Sequence, residues 1–312
     1  MKWTKLGLVF DPRGRSTWMH SHALQPTPLI LEHDRIRVFA GFRDRQGVSR
    51  VGYVDVDRRD PTRVLGFSKE PLLDTGTPGA FDDNGVVPSA IAVTEEGLRL
   101  YYAGYQIQQR VRFTVFGGLA MSKDGGESFS RVRRTPVMDR TDGELLFRVP
   151  HTVIRVGNVW RVWYGAGSRF EEDEIKTLPV YDIKYVESQD GVNFPEPGRT
   201  VLTTSTGEYR LGRPYVLKRQ DRFYMFFGAS TKLRAYVLAY AESHDGVTWT
   251  RRDEKLNLSL SDSGFDSEMM AYPAVIDCED RTYLFYNGNS YGESGFGVAV
   301  LAADTAQFST RT

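Results

Sequence analysis

Two carboxylic acids stand at the same place in two repeats of this sequence and could do chemistry together. Asp83 and Glu268 each lie five residues before a proline, Pro88 and Pro273 respectively. Hydrolysis of a glycosidic bond needs one carboxylic acid to protonate the leaving oxygen and one carboxylate to activate water or attack the anomeric carbon. We therefore expect Asp83 and Glu268 to form a catalytic pair. The alternative is that either one caps a turn or pairs with a nearby arginine.

Basic and polar side chains collect in the same repeats, close to the prolines. Arginine forks suit a phosphate, a sulfate, or the carboxylate of a uronic or ulosonic acid equally well. These residue types favour a hydroxyl-rich or anionic ligand, and a carbohydrate, including an anionic or phosphorylated sugar, would fit this pattern. The residues that we expect to bind it are His20, His22, Gln25, Asp82, Arg148, His151, Arg213, Asp266 and Tyr272.

Three of these residues are histidines and raise the question of a metal. His20 and His22 would face the same side of a strand, and His151 comes from another repeat, so together they could hold a metal ion. Hydrogen bonding to sugar hydroxyls asks less of the geometry. We therefore expect no metal and no other cofactor.

The elements that must position these residues form a fivefold repeat. Each copy has a proline, an apolar stretch, a polar turn and an aromatic-rich strand that ends in glycine, at residues 28–41, 88–104, 150–165, 214–228 and 273–288. Successive prolines are 60, 62, 64 and 59 residues apart. β-Branched and aromatic residues that alternate with polar ones around a turn are typical of β-hairpins. Inner strands are thus expected to start near residues 28, 88, 150, 214 and 273.

A third strand follows each hairpin, and a fourth follows most of them. Three third strands end in a Ser-x-Asp-Gly turn, beginning at Ser122, Ser188 and Ser243, and Asp-Gly favours tight turns because it tolerates positive φ. Four antiparallel strands repeated five times predict an all-β, five-bladed β-propeller. The last unit lacks its fourth strand, and residues 3–8 resemble one. We expect this N-terminal strand to complete the last blade, and residues 1–312 to form a single domain.

The proline-led inner strands and the five units resemble the superfamily that contains glycoside hydrolase families 32, 43, 62, 68, 117 and 130. The resemblance covers essentially the whole chain. Three phrases, at residues 21–28, 81–89 and 267–273, look like a bacterial group of uncharacterised glycosidase-like propellers, whose genes often lie among those for surface-polysaccharide assembly. The resemblance implies a glycosidase of carbohydrate metabolism with a pocket at the central axis.

The sequence differs from the better-known members of this superfamily at the positions where those members have acidic residues. Family 43 members place an Asp immediately before the proline in the first two blades and a Glu two residues before it in the third. The residues here are Thr27, or Gln25 if Pro26 is the matching proline, then Val87 and Arg148. Three possibilities stay open: a hydrolase whose carboxylates have moved, a phosphorylase or transglycosidase that uses basic side chains, and a catalytically silent carbohydrate-binding propeller.

Composition and charge exclude other classes of protein. Lys and Arg total 40, as do Asp and Glu, so no net field draws the chain to nucleic acid or an anionic membrane. With Cys278 as the single cysteine there is no internal disulfide framework, and no apolar stretch reaches the length of a membrane span. We expect a cytoplasmic protein and leave its oligomeric state open. A protein-interaction propeller fits poorly, because WD repeats have about 40 to 45 residues.

Overall fold

The computed structural model describes residues 1–32, 34–172, 177–194, 197–279 and 281–302, and these form a nearly all-β structure, as the sequence predicts. The predicted domain also includes residues 303–312, which lie outside the described residues. Helical structure in the described ranges consists of a 3₁₀ turn, Asp253–Lys255, and a four-residue turn, Asn289–Gly292. Neither turn, nor any other helix in those ranges, has the length and apolar character needed to cross a membrane.

The strands follow one another in antiparallel runs. The chain starts with β1 (Trp3–Phe10). The first run consists of β2 (Ser21–Glu32), β3 (Arg35–Arg43), β4 (Ser49–Asp57) and β5 (Val64–Phe67). The second run consists of β6 (Val86–Thr94), β7 (Gly97–Ile107), β8 (Phe113–Ser122) and β9 (Ser130–Arg131). The third run consists of β10 (Phe147–Val156), β11 (Val159–Glu172), β12 (Thr177–Ser188) and β13 (Arg199–Leu202).

Two further runs complete the chain. The fourth run consists of β14 (Glu208–Arg219), β15 (Arg222–Thr231), β16 (Val237–Ser243) and β17 (Thr250–Arg251). The fifth run consists of β18 (Ala271–Cys278), β19 (Arg281–Asn287) and β20 (Phe296–Leu301). β1 pairs antiparallel with β20, with Trp3 opposite Leu301, so the N-terminal strand joins the C-terminal hairpin. Short parallel contacts between β8 and β10 and between β12 and β14 link the second, third and fourth runs into one sheet.

The apolar core lies between consecutive runs. Buried clusters join the first run to the second, the second to the third, the third to the fourth and the fourth to the fifth. A fifth cluster joins the last run back to the first, with Val38 of β3 and Phe285 of β19 among its members. Each run is thus covered on both faces, which explains why its middle strands are buried along almost their whole length.

The Ser-x-Asp-Gly turns tie neighbouring runs together. In each turn the Ser hydroxyl contacts the Asp carboxylate and accepts a hydrogen bond from a glycine amide. A glycine carbonyl of each turn then accepts a hydrogen bond from the second strand of the preceding run. The donors are Arg37 to Gly126, Tyr101 to Gly191 and Trp163 to Gly246. These turns are structural ties at the outer part of the runs.

The sequence pattern suggests that each repeat proline lies at the start of an inner strand. In the structure the repeat prolines lie inside these strands. β2, β6, β10, β14 and β18 all begin a few residues earlier, and the pairing register shifts at or beside the proline in every one. Proline has no N–H to give to a ladder, so within strands it is confined to edges and bulges. The bulges re-aim the neighbouring side chains, and this sets up the site.

Candidate functional site

A cavity of about 360 Å³ lies where the first strands of the five runs meet. β2 contacts β6, β6 contacts β10, β10 contacts β14, β14 contacts β18, and β18 contacts β2. The volume falls within the usual range of ligand pockets, about 300 to 1,000 Å³. The polar and aromatic residues of the cavity wall are Gln25, Arg43, Ser49, Asn84, Tyr105, Arg112, Phe113, Phe147, His151, Tyr181, Tyr209, Arg210, Arg213, Tyr272 and Tyr291.

The residue immediately before the bulge proline lines this cavity in every run. These five residues are Gln25, Val87, Val149, Arg213 and Tyr272. In the first run the matching proline is therefore Pro26 rather than Pro28, because Thr27 is not a wall residue. Five equivalent positions that are far apart in sequence thus converge on one space.

Three of these five residues have a left-handed backbone. Gln25, Arg213 and Tyr272 have φ values of 54°, 46° and 56°. Positive φ is uncommon for a residue other than glycine, and it costs free energy that the surrounding structure must supply. Such strain concentrates at ligand sites, so its presence at three equivalent wall positions makes the cavity the candidate functional site.

Arg213 is the most deeply buried cation of the wall, with a relative exposure of 1%. Its Nη1 donates to the carbonyl of Tyr272 at 2.9 Å and its Nη2 to the hydroxyl of Thr27 at 2.7 Å. Among the described residues no carboxylate forms an ion pair with it. Burial accordingly lowers the pKa of Arg213 to about 9, which still leaves it charged at neutral pH.

His151 and Gln25 are two further buried residues of the wall. His151 Nδ1 and Gln25 Oε1 are buried atoms that have no hydrogen-bond partner in the described chain. Burial, and then the charge of Arg213, hold the pKa of His151 well below its usual range, so its imidazole is neutral. Arg213, His151 and Gln25 therefore offer one guanidinium, one neutral imidazole and one amide on the wall of the cavity.

Arg210 is held among tyrosines at another part of the wall. Its guanidinium lies 4.2 Å from the ring centroid of Tyr236 and donates to the Tyr291 hydroxyl at 2.9 Å. Tyr291 stacks on Tyr272, with the ring centroids 6.3 Å apart. The Tyr181 hydroxyl contacts that of Tyr236. Rigid aromatic faces with polar rims are suited to contact with a polyhydroxylated ring.

His22 does not line the cavity but orients a residue that does. Its Nε2 lies 3.2 Å from Nη1 of Arg43, and its Nδ1 lies 2.9 Å from the Ser21 hydroxyl. Burial, and then the charge of Arg43, lower the pKa of His22 to about 4. The neutral ring thus accepts from Arg43 and donates to Ser21. His20 is half-buried and is not a wall residue.

Asp82 and Asp266 are not wall residues but anchor their runs. The Asp82 carboxylate accepts from Tyr102 at 3.0 Å and from Arg131 at 2.8 Å. The Asp266 carboxylate accepts from Tyr286 at 2.9 Å, and an ion pair of 2.6 Å joins it to Lys5 of β1.

Arg148 belongs to the same kind of anchor in the third run. It forms a buried ion pair of 2.7 Å with Glu144, which also accepts from the Tyr164 hydroxyl. In all three runs the acid precedes its tyrosine by 20 residues. The three residues Asp82, Arg148 and Asp266 are therefore placed in the scaffold around the cavity.

Asp83 and Glu268 lie outside the wall as well, but they keep their carboxylates available. Asp83 is half-buried and accepts from the Gly79 amide at 2.8 Å. Glu268 is exposed, and its backbone amide donates to Asn289. No ion pair in the described part of the chain involves either carboxylate. Asp83 directly precedes the wall residue Asn84.

The wall combines cations and aromatic rings, and none of its described residues is an Asp or a Glu. Of the residues expected to bind substrate, Gln25, His151, Arg213 and Tyr272 come together here. Within the described ranges, no three His, Cys, Asp or Glu side chains lie close enough together to hold a metal ion. The arrangement can bind an anion and hydroxyl groups with no metal in the contacts.

Three arginines of the wall, Arg43, Arg112 and Arg210, are not among the residues that the sequence predicts to bind a ligand. Arg43 follows the aromatic strand of the first run and looks like part of an exposed turn, yet it lines the cavity. Arg210 stands three residues before Arg213, and only the bulge between Gly212 and Tyr215 lets both face the same space.

Solved structures with the same fold include glycoside hydrolases and mannoside phosphorylases. A glycoside hydrolase has a TM-score of 0.72 and 18% identity, over 99% of this chain and 93% of that chain. A structure from the GH130 family of mannoside phosphorylases, described as containing glycoside hydrolases that target β-1,2 mannosidic linkages in Candida mannan, has a TM-score of 0.71 and 16% identity, over 96% and 93%. The β-1,2-mannobiose phosphorylase from Listeria innocua has a TM-score of 0.69 and 10% identity, over 97% of each chain. The fold is therefore that of propeller glycosidases.

Sequence comparison identifies nearer relatives. No protein-family model matches the chain. Uncharacterized protein MT1551 of Mycobacterium tuberculosis (strain CDC 1551 / Oshkosh) is 34% identical over 305 residues. Uncharacterized protein Rv1502 of M. tuberculosis (strain ATCC 25618 / H37Rv) is also 34% identical over 305 residues, which cover 96% of this chain and 99% of that protein. This chain therefore belongs to the same protein family as Rv1502.

Proposed function

We propose that the five antiparallel runs are the blades of one β-propeller and that the cavity lies on its central axis. The ring of contacts among the five first strands supports this architecture, because β18 closes back onto β2. The pairing of β1 with β20 would then complete the last blade and leave no exposed edge between the first and last units. We also propose a cytoplasmic protein, because a sequence with one cysteine can form no disulfide within the chain and so does not require an oxidising compartment.

Within this propeller we propose that the chain binds a carbohydrate in the cavity and acts on its glycosidic bond. One observation carries the proposal: wall residues from all five runs together combine tyrosine rings with buried hydrogen-bonding groups that have no partner in the described part of the chain. Rings such as those of Tyr272 and Tyr291 offer flat faces, and atoms such as His151 Nδ1 offer bonds to hydroxyl groups. The fold shared with glycoside hydrolases and mannoside phosphorylases supports the same function.

Asp83 and Glu268 stay our proposed acid and base for hydrolysis. The neighbouring acids Asp82 and Asp266 are engaged with a tyrosine and a basic residue each, whereas Asp83 and Glu268 have no ion pair among the described residues. They would act on a ligand that fills the cavity and extends past its wall.

A catalytically silent carbohydrate-binding propeller is the second candidate. The observation that favours it is the wall itself, because hydrolysis requires two carboxyl groups at the bond and the described wall residues offer none. On this alternative the cavity retains a saccharide without changing it, and Asp83 and Glu268 have no chemical role.

Proton NMR of the anomeric region separates these candidates. The protein is incubated with a panel of glycosides and oligosaccharides, with and without inorganic phosphate. A new anomeric signal shows an enzyme, and its dependence on phosphate distinguishes phosphorolysis from hydrolysis. We expect the signal to be lost in Asp83→Asn and Glu268→Gln and kept in the control Asp142→Asn, which changes an exposed carboxylate. Full turnover in both variants would reject the proposed pair, and binding without turnover would establish the second candidate.

A further inference from the structure

Three wall side chains are more than nine-tenths buried and keep polar atoms that have no hydrogen-bond partner among the described residues. Gln25, His151 and Arg213 have relative exposures of 5%, 8% and 1%, and the atoms concerned are Gln25 Oε1, His151 Nδ1 and Arg213 Nε. We call these three residues the polar patch. Buried polar atoms in native proteins nearly always have partners, and leaving one unsatisfied costs free energy. Their presence on a cavity wall points to a ligand that supplies the missing bonds.

The polar patch is a connected unit. Nη2 of Arg213 donates to the Thr27 hydroxyl, which in turn donates to the backbone carbonyl of Gln25 at 2.9 Å. His151 lies close enough to Arg213 for the guanidinium charge to lower its pKa. A ligand group that reaches Arg213 therefore lies near His151, and Thr27 links Arg213 to the backbone of Gln25.

The patch carries a single positive charge. Arg213 is protonated, and His151 is neutral because burial and the nearby guanidinium disfavour its charged form. Arg210, also on the wall, has the Tyr236 ring beneath its guanidinium. Among the described residues, Arg213 has neither an aromatic ring beneath its guanidinium nor a carboxylate in an ion pair with it. A desolvated charge without a counter-ion is costly, so an anion on Arg213 relieves that cost.

We propose that the polar patch binds the carboxylate of a sugar acid, with the carboxylate on Arg213 and neighbouring hydroxyl groups on His151 and Gln25. One carboxylate matches one guanidinium in charge and in fork geometry. The side-chain oxygen of Gln25, Oε1, can accept a hydrogen bond from a hydroxyl group. A carboxylate or a phosphate dianion has no proton to donate to it. This inference rests on the proposed function, because it assumes that the occupant is a saccharide, and it narrows the substrate class to a hexuronate or a related acid.

The test uses the intact protein and two measurements. Thermal unfolding is followed in chloride, in acetate and in inorganic phosphate at equal ionic strength. Binding of glucuronate, galacturonate, glucose and galactose is followed by ligand-observed NMR. We expect acetate and a hexuronate to raise the melting temperature, and the hexuronate to bind at least ten times more tightly than its neutral counterpart.

Variants of Arg213 test whether hexuronate binding depends on the polar patch. Arg213→Gln removes a charge-assisted bond and should weaken hexuronate binding about ten- to a hundredfold, with loss of the acetate effect. Arg213→Lys keeps the charge without the forked guanidinium, so its affinity for the hexuronate should lie between those of the native protein and Arg213→Gln. It serves as the test if Arg213→Gln does not fold. The control Arg222→Gln, at an exposed position of the same run, should bind as the native protein does.

Each outcome has a definite meaning. Neutral sugars that bind as well as hexuronates would overturn the inference and leave the proposed function standing. Equal hexuronate binding by the native protein and both Arg213 variants would also overturn it. A phosphate effect that depends on Arg213, without any effect of acetate or hexuronate, would replace the sugar acid by a phosphate. Absence of binding by every saccharide would reject the proposed function itself, whatever acetate does.

Discussion

Replacing Glu144 by glutamine would remove the negative charge that holds two basic side chains in the third run. Glu144 is fully buried, and its carboxylate lies 2.7 Å from Arg148 Nε, 3.0 Å from Lys184 Nζ and 2.7 Å from the Tyr164 hydroxyl. Breaking a buried ion pair by removing one partner typically costs about 3 to 5 kcal/mol, because the other charge stays desolvated. We expect Glu144→Gln to lower the free energy of unfolding by about that amount.

Equilibrium unfolding in urea, followed by tryptophan fluorescence, measures this loss. The matched control is Glu96→Gln, because Glu96 is exposed and lies 3.7 Å from Arg99, and such surface pairs contribute at most about 1 kcal/mol. The double variant Glu144→Gln, Arg148→Met should cost less than the sum of the single changes, with an interaction free energy of about 0.5 to 3 kcal/mol. If Glu144→Gln costs no more than Glu96→Gln, the acid is not an anchor of the scaffold and our placement of Arg148 there fails.

Three other predictions concern the closure of the fold, the wall and the response to pH. Trp3→Ala should cost about 3 to 5 kcal/mol in urea unfolding, because Trp3 is buried and packs edge-on against Phe226; a cost below about 1 kcal/mol would show that β1 is dispensable. Tyr291→Ala should weaken saccharide binding by about tenfold in an NMR titration, since Tyr291 stacks on Tyr272 and holds Arg210; unchanged affinity would remove the tyrosines from the binding surface. The pKa of His22 is about 4 in the folded protein and about 6.5 in the unfolded chain, so the stability that it contributes is full above about pH 6.5 and is lost as the pH falls toward 4. Melting temperatures across this range should therefore fall more in the native protein than in His22→Gln. Parallel curves for the two proteins would refute the lowered pKa of His22.

The all-β class and the succession of hairpins could be predicted from the sequence, because a proline, which interrupts the hydrogen-bond ladder, recurs at the same place in every repeat. Proline without an N–H, aromatic strands and Asp-Gly turns are local features, so their order can be read along the chain. The inner strands begin a few residues before their prolines: Pro88 and Pro273 look like boundaries in the sequence, but they lie at bulges within β6 and β18.

The site is harder to predict because it depends on which way side chains point after a bulge. Asp82 and Gln25 both lie near a repeat proline, yet Asp82 turns to Tyr102 whereas Gln25, with its left-handed backbone, faces the cavity. The spacing of 20 residues from an acid to a tyrosine in three repeats could have identified the anchors beforehand. No local pattern predicts that Arg43 reaches the wall, because its position depends on how the runs pack together.

Filling the cavity is the most direct test that it is the saccharide site. Gly165 lines the wall, and a Cβ atom there would lie 3.5 Å from the nearest side-chain atom, which is an ordinary contact, so Gly165→Leu can fill the space without a forced clash at its Cβ. The control is Gly66→Leu, where a Cβ would meet nothing within 4 Å. We expect a saccharide found by saturation-transfer NMR to bind the native protein and Gly66→Leu but not Gly165→Leu, with melting temperatures within a few degrees of each other. Undiminished binding by a folded Gly165→Leu would contradict the account.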